Sequence, residues 1–438
     1  MRTPPKPQVG LRPKARRPSL NTWQSRVALV LIELVLLATT VLLGRFGLAD
    51  FLHALNFPGR LTGAILLAVS LTTLVGAAAV MDHWVRYCFP YSGFVALVGA
   101  FTALVANAML LVTMWRDGDS AFYKAVFGVL AAGSAAAAYM VWRTSVTIPT
   151  HKRVAAAVII PSVIAVANYG YQNLWQPYER ETSPVISLAM GKAVLSKDRK
   201  DFAVPVDITL ANRGDRSFYV LGSEFHAMAQ KVTLSSKDRL REKWRDDADQ
   251  WTKPSELNPL SRREIHQPGE LVEAKPWLNY GRWIESGDTF TTRVVVELPL
   301  NTPYDQVTFY ATASLARKDR LVLQPPLNYL TKSWDRKNIP GWVKKQQKKD
   351  PNTDFLVYRA RVREDDSIDE YTRDPRYVTV YWKFGTHGVS VQVSVARLGE
   401  EGHVPNQTEQ RETSSRYGLV DLTMGPYVRN LWDIKNQH

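Results

Sequence analysis

The chain has 438 residues, 55 Lys and Arg against 41 Asp and Glu, a formal charge of +14 and one cysteine. That length suggests two to four domains at roughly 100–200 residues each, and a lone cysteine excludes an internal disulfide framework. The charge is uneven, at +7 over residues 1–26, +3 over 27–175 and +4 over 176–438, so the basicity belongs to the tail and loops and argues against a nucleic-acid partner.

Residues 1–26 set Pro4, Pro5, Pro7, Pro13 and Pro18 among Arg2, Lys6, Arg12, Lys14, Arg16, Arg17 and Arg26. Prolines at that density prevent a continuous helix and the like charges repel, which predicts a disordered cytoplasmic tail. The apolar run that follows lacks a small-x-small cleavage site, so it reads as a retained span rather than a signal peptide. Five hydrophobic stretches between residues 27 and 175 qualify by length, since a bilayer crossing takes about 20 apolar residues. They are Val27–Gly44, Leu61–Met81, Ser92–Met114, Ala121–Trp142 and Val154–Trp175.

Lys and Arg gather on the tail, on the second loop (Arg86) and on the fourth (Arg143, Lys152, Arg153). The alternate loops carry only Arg45, Arg60 and Arg116, which puts the tail inside and, after five spans, the carboxyl half outside the cytoplasm. Ala64, Ala68, Thr72 and Gly76 form a four-residue row in the second span, and Gly99, Ala103 and Asn107 form one in the third. Gly128, Ala132 and Ala136 stack beside Gly133 and Ala137 in the fourth. Small residues so spaced let helix backbones approach closely in lipid, and Pro161 should kink the fifth span. Glu33 is the one carboxylate deep in the apolar runs. There it costs about 2.5–3.5 kcal/mol on insertion scales, so it should face the bundle, with Thr72, Thr73 and Ser134 at its depth.

Beyond Trp175 the pattern changes to period-two alternation, after Tyr169, Tyr171, Trp175 and Tyr178 mark an interfacial aromatic belt. Residues 180–325 predict strands at Val185–Met190, Phe202–Ala211, Ser217–Leu221, Thr289–Leu298, Gln306–Ala316 and Arg320–Leu323. In Thr289–Leu298, Phe290, Val294, Val296 and Leu298 point to the core. Turn-bounded strands of this kind predict a two-sheet antiparallel sandwich. The alternation in 202–212 and the Gly287-Asp288 turn resemble immunoglobulin-like envelope modules over about a third of the chain, a resemblance that implies fold alone.

An insertion over 235–285 begins with a helix on which Leu240, Trp244, Ala248 and Trp251 share a face, and adds Trp277, Tyr280 and Trp283. Those tryptophans form either an aromatic platform or a stripe packed on the sandwich. Residues 326–352 read as a linker in which Trp342 precedes Lys344, Lys345, Lys348 and Lys349, a cluster suited to lipid headgroups or an anionic wall polymer. Residues 353–438 predict a small β unit. Its clearest hairpin sets Val378, Val380, Trp382 and Phe384 against Val389, Val391, Val393 and Val395 across Gly385-Thr386-His387-Gly388. Residues 399–416 read as polar and mobile.

Motifs for chemistry are few. His226, His266, His387, His403 and His438 lack paired ligand spacing, and no Gly-x-Ser-x-Gly or phosphate-cradling glycine loop occurs. Asp365-x-Ser367-x-Asp369 imitates the start of a calcium loop, but Glu370 stands where the sharp turn needs glycine. Arg213-Gly214-Asp215 reads as a turn. The fold class is therefore a five-helix transmembrane bundle followed by a β-rich extracytoplasmic region with an immunoglobulin-like sandwich. The expected role is a non-enzymatic membrane protein of the bacterial envelope, without cofactor or metal, whose partners are membrane lipid, other envelope proteins or an anionic wall polymer. The alternatives are a subunit of a transport or secretion complex with Glu33 buried against partner helices, and an envelope enzyme of unknown class.

Overall fold

A computed structural model of the chain describes residues 23–86, 88–144, 183–231, 241–242, 245, 269–279, 281–324, 331–335, 339–385, 388–401 and 406–435. The polypeptide divides into two units, residues 1–180 with 364–374 and residues 181–363 with 375–438.

The first unit is built on α1 (Trp23–His53), α2 (Phe57–Met81), α3 (Ser92–Asp117) and α4 (Ala121–Arg143). Each is long and apolar enough to cross a membrane, over Ser25–His53, Phe57–Arg86 (α2 with the π-helical turn Asp82–Arg86 that continues it), Ser92–Arg116 and Ala121–Arg143. Four of the five expected spans are thus present as helices. The fifth, Val154–Trp175, lies outside the described residues, as do Pro161 and the aromatic belt.

Two boundaries differ from expectation. The helix begins at Trp23, inside the stretch assigned to the tail, and α1 runs on past Gly44 to His53. Gly44 and Gly47 are helical here because they give α2 room. A Cβ on Gly44 would sit 3.1 Å from Ser70 Oγ, and one on Gly47 would sit 2.9 Å from the Gly63 carbonyl oxygen.

The small-residue rows are partly where the sequence put them. Gly76 and Gly99 meet backbone to backbone, with a Cβ built on Gly76 only 2.7 Å from Gly99 Cα. The buried face of α2, however, is Gly63, Ser70, Thr73, Gly76, Ala77 and Val80, and Ala68 and Thr72 are exposed. In α4 the buried face is Phe127, Leu130, Ser134, Ala137 and Val141, with Ala132 and Ala136 outside it. The cause is geometric. At 3.6 residues per turn a strict four-residue row drifts around the helix and leaves the contact line, which alternating steps of three and four retain.

The second unit is built of antiparallel sheets. One sheet joins β1 (Val185–Met190), β2 (Val194–Leu195), β3 (Asp201–Ala211) and β7 (Thr289–Pro299) around β3. A second runs β14-β8-β4-β5, with β4 (Phe218–Gln230), β5 (Glu270–Lys275), β8 (Gln306–Arg317) and β14 (Leu419–Asn430), and β6 (Trp283–Ile284) pairs with β4. A third joins β10 (Thr331–Lys332), β11 (Asp354–Glu364), β12 (Tyr377–Gly385) and β13 (Gly388–Ala396), and β9 (Leu321–Gln324) pairs with β11.

The expected two-sheet sandwich is real but incomplete. One core packs β3 and β7 (Phe202, Val204, Val206, Ile208, Val294, Val296) against the inner faces of β4 and β8 (Phe225, Ala227, Val307, Phe309). The other face of that same middle sheet is also covered, because Leu221 and Ala316 cluster with Tyr358, Val378, Val380 and Trp382 of the third sheet. Three stacked layers leave β4 and β8 buried on both faces.

Several finer expectations change accordingly. Phe290 is 45% exposed although Val294, Val296 and Leu298 do face the core. Ser217–Leu221 is only the start of β4, β9 pairs with β11 rather than closing the first sandwich, and part of the supposed insertion is β5 and β6. The small carboxyl-terminal unit does not close on itself, since β14 takes an edge of the middle sheet beside β8, in register from Leu419↔Ala316 to Asn430↔Gln306. The linker holds β10, a 3-10 turn (Ser333–Asp335) and a helix, α5 (Gly341–Lys349). Residues 407–417 form a helix with a capping box between Asn406 and Glu409, which ends at Gly418 in the left-handed region (φ 59°). The β12–β13 hairpin pairs as expected from Tyr377↔Ala396 to Gly385↔Gly388.

Candidate functional site

A cluster of carboxylates of the first unit collects at one helix end. Between β11 and β12 the chain supplies Glu364–Asp374 to the helical unit. Within it Ser367–Thr372 forms a short helix, α6, capped by Asp366, whose carboxylate accepts from the Ile368 N–H at 2.7 Å. Ile368 is buried among Leu43, Phe46, Leu110, Met114, Phe127 and Leu130, drawn from α1, α3 and α4.

Polar contacts fix the segment around that apolar plug. Asp365 accepts the Leu55 N–H at 2.8 Å and a second bond from Asn56 Nδ2, while Asn56 Oδ1 caps α2 through the Gly59 N–H. Asp50 on α1 accepts the Ser367 N–H at 2.8 Å, and Ser367 Oγ donates to the Phe46 carbonyl at 3.3 Å. The Thr372 carbonyl accepts from the N–H groups of Ser120, the N-cap of α4, at 3.0 Å and of Asp119 just before it at 3.3 Å. Arg45 lies over the Tyr371 ring at 5.1 Å, and Arg373 pairs with Glu364 (3.4 Å) and Asp369 (3.7 Å). Burial pushes the Asp366 carboxyl up to about 7, and the negative charges of Asp50, Asp369 and Asp365 add to the rise against the helix-cap hydrogen bond. Among the described residues no three His, Cys, Asp or Glu side chains converge as metal ligands.

The intramembrane candidates are distributed differently from expectation. Thr72 donates to the Ala68 carbonyl, Thr73 bonds Thr40 and the Ser70 carbonyl, and Ser134 accepts from Asn107, which also bonds Thr39. None of these bonds reaches Glu33, whose Oε1 is buried with no hydrogen-bond partner among the described residues. The Thr39–Asn107–Ser134 bridge joins α1, α3 and α4, and only Ser134 of the three had been named beside Glu33.

The aromatic and lysine candidates do not converge either. Trp244 and Trp251 lie outside the described residues. Trp277 is a core residue that donates Nε1–H to the Thr312 carbonyl at 2.9 Å, while Trp283 is 57% exposed with Lys318 Nζ 4.4 Å above its ring. Trp342 packs inward on Phe355 and Tyr381, with Val343 buried beside it. At about 100° per residue, Lys344, Lys345, Lys348 and Lys349 fill one arc of α5 opposite Val343, and all four are exposed.

Sequence reasoning missed one buried ionisable pair. Glu224 and His226 share a face of β4, their side chains hydrogen-bond to each other, Thr312 Oγ1 lies 3.2 Å from Glu224 and the His226 ring stacks on Tyr310. Both residues are at most 2% exposed, so the pair is a satisfied part of the packing and not a point of solute access. The signal available beforehand was the i, i+2 spacing, legible only once residues 222–230 are recognised as strand.

No family model and no curated protein matches the chain. Among solved structures, the sporulation control protein Spo0M from Bacillus subtilis is similar at 9% identity and a TM-score of 0.18, over 55% of this chain and 90% of that one. A likeness at that level carries no argument.

Proposed function

We propose that the chain is a non-enzymatic multi-pass membrane protein that presents its β-rich half as a recognition or assembly module on the extracytoplasmic side of a bacterial envelope. The observation that carries this reading is the seat of Glu364–Asp374 on the α1–α2 and α3–α4 turns. Those turns share one helix end, the one poor in Lys and Arg, whereas the basic tail, Arg86 and Arg143 belong to the other. Because α4 ends at that basic end, an odd number of crossings must separate Arg143 from Glu364. Val154–Trp175 has the length and composition of such a crossing. The exposed lysine arc of α5 is the surface we assign to an anionic partner, lipid headgroup or wall polymer. Protease shaving of intact cells tests the sidedness. Digestion of the carboxyl half is expected, and protection that disappears only on lysis overturns the proposal.

Glu33 Oε1, which has no hydrogen-bond partner among the described residues, favours a second reading, a subunit of a transport or secretion complex with that carboxyl packed against partner helices. A hetero-complex that survives mild detergent and dissociates in Glu33→Ala is the expected result there; a lone chain with unchanged behaviour rejects it.

A further inference from the structure

The cap residue of α6 is surrounded by charge of its own sign. Asp50 from α1, Asp365 just before it and Asp369 along α6 all raise the cost of ionising Asp366. The other charged or titratable groups near this end include Arg45 and His53 on α1, Arg60 on α2, Arg116 in the last turn of α3, Asp119 before α4 and Lys124 in its first turn, and Glu364, Glu370, Arg373 and Asp374 of the segment itself. Arg45 is over Tyr371, Arg60 Nε donates to the Ala54 carbonyl at 3.3 Å, and Arg373 is held by Glu364 and Asp369. Asp119 accepts the Asp374 N–H, and Glu370 accepts the Glu364 N–H. Among the described residues neither Asp50 nor Asp366 is in an ion pair, so the bond from the Ile368 N–H is what opposes the cost of an ionised Asp366.

We propose that the docking of Glu364–Asp374 is a proton-linked latch, in which a protonated Asp366 lets Ile368 stay seated in the helix end and an ionised Asp366 loosens it. The inference goes beyond the function proposed above and holds whichever side of the membrane this end faces. Its sign follows from linkage. Docked, the carboxyl titrates at about 7, because burial and three carboxylates oppose its charge. Released into water it returns to the ordinary aspartate value, about 3.9. The docked form therefore binds a proton that the released form gives up. Docking is strongest below about pH 4, weakens as pH rises toward 7, and levels off above that.

The test is amide hydrogen exchange on the full chain in mild detergent, corrected for intrinsic rates, from pH 5 to pH 8. The reporters are the N–H groups that docking protects, those of Ser367, Asp119 and Ser120. Their protection should fall by at least about tenfold across that range in the native chain, an amount set by the displaced titration. Asp366→Asn keeps an acceptor for the helix cap without the charge, and should hold protection within about twofold at every pH. Asp366→Ser does the same with a different cap, so that a folding failure of one variant does not decide the matter. Strand β3, which lies in the other unit, serves as the reference for global opening. A flat native profile overturns the latch, and so does an equal fall in both neutral variants.

Discussion

The two units differ in what they show outside. The helical unit presents large apolar side chains on its exterior as well as its interior, with Phe101, Val129, Val112 and Leu71 each more than half exposed, and between buried residues such as Leu36, Leu43 and Phe127 it also encloses Gly76, Thr39, Thr73, Asn107 and Ser134. In the β unit Phe202, Phe225, Val296 and Leu315 are sealed inside, and the alternate positions of β3 face outward as Asp201, Ala203, Pro205 and Asp207. One rule covers both: a chain hides what its surroundings solvate badly, and the surroundings differ. Water rejects apolar surface, so the β unit gains roughly 25 cal/mol for each Å² it buries. Lipid does not, so helices placed in it would be held by close backbone approach and internal hydrogen bonds.

The largest expected effect breaks that comparison directly. Val129 sits mid-helix on α4 and Val194 on β2, and both are more than 60% exposed. If the helical unit is in lipid, Val129→Asp should cost about 2.5–3.5 kcal/mol, read as the apparent free energy of insertion of α4. Val194→Asp, in water, should alter stability by no more than about 0.5 kcal/mol in chemical denaturation of the same protein. Equal small effects at both positions would mean that the apolar helix faces meet something other than hydrocarbon.

Legibility from sequence divides along the same line. Where a single medium acts on a whole element, pattern suffices, and β1, β3, β7 and the β12–β13 hairpin are legible nearly to their ends, as are α2, α3 and α4, whereas α1 runs on past its expected end to His53. Burial on both faces weakens the pattern: β8 keeps the alternation of Val307, Phe309, Ala311, Ala313 and Leu315 and stays legible, but β4 does not. β4 is buried on both faces, so residues 222–230 show no polar-out alternation, and Ser223, Glu224 and His226 look like loop. They are strand because Ser223 Oγ accepts from the Trp277 and Leu278 N–H groups and the Glu224–His226 pair closes on itself. β14 was missed as a partner of β8 because pairing across a hundred residues leaves no local trace. The seat of Glu364–Asp374 was invisible for the opposite reason. Its carboxylates imitate a metal loop locally, and only the fold shows that Asp365 accepts from the Leu55 N–H of the α1–α2 turn, that Asp366 caps its own helix, and that the Ser367 N–H donates to Asp50 of α1.

The smallest expected effect sharpens the comparison, because it weighs one hydroxyl in each medium. Tyr358 Oη donates to the Leu221 carbonyl at 2.6 Å in the β interior, at the register shift between Val220 and Gly222, where the ladder of β4 with β8 skips Leu221. Tyr358→Phe removes that donor, and a buried carbonyl so deprived should cost about 1–3 kcal/mol in denaturant midpoint terms. Ser134 Oγ accepts from Asn107 at 3.1 Å in the bundle interior, and Asn107 keeps its second bond, to Thr39, when Ser134 is shortened. Ser134→Ala should therefore cost only about 0.6 kcal/mol, because a chain already in lipid finds other polar partners before its helices pack. The ratio of the two costs is the measurement. A Ser134→Ala penalty as large as that of Tyr358→Phe would show that the unpacked helices leave the Asn107 amide without a partner, and that this bridge of α1, α3 and α4 holds the bundle more firmly than its glycines do.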